Sequence, residues 1–157
     1  MNWFEDMQIG ERRDLGSFTF TAEDIIRFAK AYDPQRFHLS DEEARKTHFG
    51  RLCASGWHTA SVWMKLMVAS LDLEHAGGGP SARLGPSPGF TDLKWIKPVF
   101  AGDTITYSST LVEKTEIRSR PKWGLVQHRN EGVNQDGVLV FSFIGKVFVA
   151  RKPADEA

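Results

Sequence analysis

An aspartate and a histidine stand five positions apart in the stretch Phe28-Ala29-Lys30-Ala31-Tyr32-Asp33-Pro34-Gln35-Arg36-Phe37-His38. Such a pair can order one water between them, take its proton and deliver a proton elsewhere. The bland reading stays open at this point: Asp33 ends a helix and His38 is satisfied locally. The other histidines, His48, His58, His75 and His128, give no H-x-x-x-H spacing, and the single cysteine, Cys53, has no C-x-x-C partner. No metal site is therefore expected. There is no G-x-G-x-x-G after a strand and no P-loop, so nucleotide-fold readings fall away and no cofactor is expected. Cys53 is expected to be an inert buried thiol unless a base stands beside it.

Two helix starts bracket the pair. Thr21, with Asp24 three residues on, reads as an N-cap, and Ile25, Phe28, Ala29 and Tyr32 follow on one face. Pro34 stops that helix, because the residue before a proline is pushed out of the α region. Asp33 then sits at the carboxyl end, where the helix dipole does nothing to favour its charge. Ser40-Asp41-Glu42-Glu43 opens a second, short polar helix to about Thr47. The segment between is expected to lack regular structure, a common setting for functional groups held by rigid neighbours.

Ala54-Ser55-Gly56 precedes a run from Trp57 to Leu73 that is apolar nearly all round, with Lys65 its only charge before Asp72. A helix of this kind is normally enclosed by other elements. Gly77 to Pro88 reads as a loop by composition. From Thr91 onward the pattern is strand after strand: Leu93 to Ile96, Thr104 to Lys114, Trp123 to Val133 and Val138 to Val149, with Asp136-Gly137 as a hairpin turn. The last of these is apolar on both faces, the mark of a strand covered on both sides. An earlier short strand lies within Arg13 to Phe20.

The 157 residues suit one domain, 1–157, with enough chain to bury a core without disulfide or metal. Lys plus Arg (20) cancels Asp plus Glu (20), so no basic field advertises nucleic acid or a membrane surface. The lone cysteine fits a reducing compartment, and the amino-terminal MNWFEDMQIGERR lacks the pattern of a secretory signal, which points to the cytoplasm. The economical architecture is α+β: a central buried α-helix wrapped by a curved antiparallel β-sheet. The sheet's outer face is expected to be partly apolar and to meet another subunit.

The segment around Asp33 and His38 resembles the hydratase motif of the MaoC-like dehydratases, the (R)-specific enoyl-CoA hydratases of the hotdog fold, roughly F-A-x-x-S-x-D-x-N-P-x-H. Ala54-Ser55-Gly56-Trp57 resembles the family's Ala-His-Gly-Met turn, and Phe90 to Asp103 (FTDLKWIKPVFAGD) its strand ending in K-P-V-x-x-G-D. The likeness runs in the right order from about Ile9 to Val149. Three departures stand out. Pro34-Gln35-Arg36 replaces Asn-Pro and removes the Asn contact, Ser55 replaces a His, and Met64 lies where some hydratases place a serine that contacts the catalytic Asp.

The resemblance implies a homodimer or dimer-based assembly acting on acyl-CoA or acyl-carrier thioesters, by adding or removing water across the 2,3-double bond. It implies Asp33 and His38 as the acid–base pair and the Gly56 N–H as donor to the thioester oxygen, although Gly56 could equally serve only the turn. Phe37, Ser55, Trp57 and Lys97 are the expected substrate contacts. Asp33 as a proton donor would need a raised pKa, which an apolar pocket floored by Tyr32, Phe37 and Trp57 could give. A basic rim for the phosphates of coenzyme A is expected among Lys94, Lys97, Arg118, Arg120 and Lys122. Two rivals remain: a hotdog acyl-CoA thioesterase, disfavoured because no Asp or Glu lies between Gly56 and Leu71, and a non-catalytic acyl-thioester-binding subunit.

Overall fold

The computed structural model describes residues 3–76 and 84–153, with backbone only over 72–76. Residues 77–83 of the expected Gly/Pro-rich loop lie outside the described residues. Five strands, β1 (Arg12–Thr19), β2 (Gly89–Trp95), β3 (Thr104–Glu116), β4 (Trp123–Val133) and β5 (Leu139–Ala150), form one open sheet in the order β1-β3-β4-β5-β2. Every neighbouring pair is antiparallel. The helices are α1 (Ala22–Tyr32), α2 (Arg36–Leu39), α3 (Asp41–Arg45) and the long α4 (Gly56–Ala76).

The long helix is fixed to one face of the sheet by shape and by one buried hydrogen bond. Val62 is buried, and Ala60, Trp63, Leu66 and Met67 pack against Leu15, Ile105, Tyr107, Phe141 and Phe143. The Tyr107 hydroxyl donates to the Thr59 carbonyl at 2.9 Å, so the one polar atom of a fully buried ring is satisfied on α4. Burial raises the pKa of that phenol. Bulges shape the sheet. Between β4 and β5 the pairing steps from Gly132–Phe141 to Val133–Leu139 and leaves Val140 unpaired. Val140 and Phe141, though adjacent, are thus both buried, and the Val140 carbonyl accepts from Ile96 and Lys97. A smaller core of Phe4, Met7, Leu111, Val126 and Val149 closes the far end.

Two expectations need correction. Helix α4 is not enclosed all round: Trp57, Met64 and Val68 are about half exposed along one stripe. Other exposed large apolar side chains include Phe90, Trp95 and Ile96 of β2 and its end. Along the β1–β3 edge of the sheet run paired hydroxyls, Ser17 with Thr106 at 2.7 Å and Thr19 with Thr104 at 2.8 Å. The segment after Pro34 has regular structure after all, since Arg36–Leu39 makes a single helical turn that carries His38. Among the described residues no helix is long and apolar enough to cross a membrane.

Candidate active site at the amino end of the long helix

The chain brings Asp33 and His38 together through local hydrogen bonds. Thr21 caps α1 by accepting from the Asp24 N–H at 3.1 Å. At the other end the Asp33 N–H donates to Ala29, and Pro34 forbids another turn. The Gln35 N–H turns back onto the Asp33 carbonyl at 2.8 Å, and the His38 N–H reaches the Gln35 carbonyl at 2.9 Å. The short helix α2 thereby swings the imidazole back over the carboxylate. His38 Nε2 stands 3.4 Å from Asp33 Oδ2.

A second segment sets the ring. His38 Nδ1 lies 2.6 Å from the Cys53 carbonyl oxygen. A carbonyl can only accept, so Nδ1 carries the proton, and in the neutral ring Nε2 is the free base turned toward Asp33. Residues 52–54 are held on both sides. The Cys53 N–H donates to Phe37, Ala54 to Val99, Ala101 to Leu52, and the Leu52 N–H to Asp41 Oδ1. Asp103, from the matched Gly-Asp turn, accepts from the Phe100 N–H and from Gln135. Its place is structural, as the clasp that holds residues 99–101 against this rail.

Burial raises the Asp33 carboxyl pKa, but Gln35, Ser55 and the His38 ring together outweigh that, and the carboxyl stays below its ordinary value. The raised pKa that an apolar floor could give is not found: Tyr32 is 77% exposed and Trp57 53% exposed, and Gln35, Ser55 and His38 outweigh the burial that remains. Gln35, in the segment that departs from the family's Asn-Pro, donates through Nε2 to Asp33 Oδ1 at 2.8 Å. Ser55 is buried, and its Oγ lacks a partner at hydrogen-bonding distance yet lies close enough to help lower Asp33. That hydroxyl comes from residue 55 and not from position 64, where Met64 is half exposed.

The Ser55 carbonyl accepts from His58 and Thr59, so α4 begins here and its first amides, Gly56 and Trp57, have no preceding turn to bond. Gly56 has a clear steric reason that the sequence did not show. A Cβ there would come within 2.3 Å of the Trp95 ring, which lies against the glycine and meets Trp57 edge-on at 5.1 Å. Gly56→Ala should cost about 1–3 kcal/mol of stability and displace Trp95, visible in denaturation and tryptophan emission. An unmoved emission spectrum with native stability would refute this contact.

The other expected residues divide. Phe37 is half-buried and packs on His38 and Phe49, at 4.6 and 4.9 Å between ring centres, so it buttresses the imidazole. Lys94 and Lys97 are exposed near Trp95. Arg118, Arg120 and Lys122 belong to the opposite end: β5 pairs Phe141 with Trp95 but Ala150 with Trp123, nine residues or about 30 Å further along. One chain therefore cannot gather these five into a single phosphate rim. The Cys53 thiol is buried, and desolvation first, then the Asp33 charge, push it up to about 11. The Cys53 carbonyl holds the His38 ring, and the sulfur lies 3.7 Å from His38 Nδ1, a nitrogen already committed to that carbonyl.

Sequence reasoning missed the cavity beside α4. It encloses about 370 Å³, runs from Trp57 to Leu71 along the helix, and has mostly apolar walls that include Phe90, Phe141 and Phe143. Apolar alternation on β5 was its only signal, and that is equally the signal of a solid core. Among the described residues no three His, Cys, Asp or Glu side chains gather in a way that could hold a metal.

The family model of the MaoC like domain matches residues 6–132. The chain belongs to the MaoC-like family. A MaoC-like dehydratase from Rhodospirillum rubrum superposes with a TM-score of 0.84 at 35% identity, covering 98% of this chain and 99% of that one. An uncharacterized protein, YdeM of Bacillus subtilis, is 27% identical over 94% of this chain and 98% of its own length. Mesaconyl-CoA hydratase of Cereibacter sphaeroides is 38% identical over 64 residues, which is 41% of this chain and 18% of that protein. The fold is thus the hotdog fold of the MaoC-like proteins, α+β with an open five-stranded antiparallel sheet and a helix.

Proposed function

We propose that the protein adds water reversibly across the 2,3-double bond of an enoyl thioester, equivalently dehydrating a 3-hydroxyacyl thioester. The orientation of His38 carries this reading. With Nδ1–H committed to Cys53, Nε2 and the Asp33 carboxylate face each other as two acceptors at 3.4 Å. A proton or a water hydrogen between them satisfies both. In the hydration direction the pair draws a proton from the bound water as its oxygen adds to Cβ, and that proton passes on to Cα. Because Asp33 is held ionised at rest, the proton comes from the water through the pair and not from a resident carboxylic acid. The Gly56 N–H, at the opening of α4, faces the negative charge that grows on the thioester oxygen, a role whose loss costs about 3–4 kcal/mol of barrier.

Family membership supports the reaction class, and the mesaconyl-CoA hydratase match supports a coenzyme A thioester, though only over 64 residues. The reading includes a homodimer, supported by the exposed apolar side chains of α4 and β2, and a cytoplasmic place, supported by the single buried thiol. The test is loss of enoyl absorbance with crotonyl-CoA and longer trans-2-enoyl-CoAs, followed by chiral analysis. An (R)-3-hydroxyacyl product is expected. Release of free thiol without hydration would replace this reading with thioester hydrolysis.

A further inference from the structure

Trp63, Ser109 and Asn130, which line the apolar cavity described above, each carry a buried polar atom without a partner: Trp63 Nε1, Ser109 Oγ and Asn130 Oδ1. Ser109 is 3% exposed and Asn130 1%. They are neighbours, because Ser109 of β3 pairs directly with Asn130 of β4, Asn130 pairs with Phe143 of β5, and the Trp63 ring meets the Phe143 ring at 4.7 Å. His128, next along the same face of β4, also lines the cavity. Gly145 leaves room for the amide, since a Cβ there would stand 3.0 Å from Asn130 Nδ2. Buried polar groups ordinarily find partners, and three orphans on one cavity wall mark a place where a ligand supplies them.

We infer that this cluster is a subsite for a hydroxyl group carried on the distal part of the acyl chain. The inference rests on reading the cavity as the acyl site. The chemistry selects the ligand group. Asn130 Nδ2 donates to the His128 carbonyl at 3.2 Å, which leaves Oδ1 as an acceptor in need of a donor. Trp63 Nε1–H is a donor in need of an acceptor, and Ser109 Oγ is either. A hydroxyl meets both demands at once. A carboxylate would set its own negative oxygens against the Asn130 oxygen, and a methylene would leave every orphan unpaired. Position follows from the helix: Trp63 lies six residues beyond Trp57, about 9 Å along α4, the reach of roughly seven carbon–carbon bonds from the amino end where Gly56 stands.

Calorimetric titration of the intact protein with 8-hydroxyoctanoyl-CoA and with octanoyl-CoA tests the subsite without turnover. The hydroxylated thioester should bind about tenfold more tightly. Ser109→Ala, which removes a hydroxyl with little change of shape, and Trp63→Phe, which removes the N–H together with one ring, should each bring the two Kd values within about threefold. Equal affinities for the wild-type protein would overturn the inference and leave the cluster as a seat for ordered water. A preference that survives both substitutions would also overturn it. Hydration of crotonyl-CoA without any hydroxyl preference sinks the subsite alone. A tenfold preference without hydration of any enoyl-CoA sinks the hydratase reading and keeps the subsite.

Discussion

Asp33→Asn should lower kcat/KM for enoyl-CoA hydration by about 10²–10⁴-fold while leaving the folded protein close to its native stability. The carboxamide has the shape of the carboxylate, and its oxygen can still accept from Gln35 Nε2, so the turn after α1 keeps its hydrogen bonds. What disappears is the second basic oxygen opposite His38 Nε2. His38→Ala should be at least as damaging to activity but is the poorer probe. It strands the buried Cys53 carbonyl that accepts from Nδ1, at a cost of about 1–3 kcal/mol. Steady-state kinetics beside thermal denaturation separates the cases. Activity retained by Asp33→Asn together with a large loss of stability would make the aspartate a helix terminator and nothing more.

Acidification from pH 7 to pH 4 should destabilise the fold well before the carboxylates titrate. Burial depresses both His58 and His128 from about 6.5 to about 4 in the folded chain. Between those values the unfolded chain binds more protons, so stability is complete above about pH 6.5 and is lost as pH falls toward 4. Each ring contributes on the order of 3 kcal/mol across that window. His58 explains itself: it stacks on Phe28 at 4.7 Å, meets Phe20 edge-on at 4.8 Å, and its Nδ1 has no partner. Such an aromatic cage offers nothing to a cation's hydration needs. His58→Phe should therefore flatten the dependence by about half, as read from urea unfolding at successive pH values. An unchanged slope in that variant would show that His58 is hydrated in the native state.

The short-range features were the legible ones. Thr21 and Ser40 cap their helices as their side chains require, Pro34 ends α1, and β4 runs over Trp123 to Val133 as its alternation and the following Asp-Gly turn demand. The spacing of Asp33 and His38 was visible because everything that folds one onto the other lies within ten residues. The rest depended on long-range contacts, which leave no periodic trace. Neither the Cys53 carbonyl that sets the imidazole nor the Trp95 ring that demands glycine at 56 can be read from local pattern. The direction of the Asp33 pKa was illegible for the same reason: Gln35, Ser55 and His38 outweigh burial only once the fold has gathered them, and Tyr32 and Trp57 turn outward in space.

The rail formed by residues 52–54 has a consequence for how this fold can change. Under the proposed function the reacting pair belongs to a compact unit, α1 through α3 clipped to Cys53, whereas the space beside α4 is walled by residues of β2, β3, β4, β5 and the helix itself. The two share little beyond the junction at Gly56 and Trp57. Substitutions that widen, shorten or repolarise the chamber can therefore accumulate while the reacting pair keeps its distance and its tautomer. Under the proposed function, a lineage built this way can exchange one acyl group for another without reinventing its chemistry.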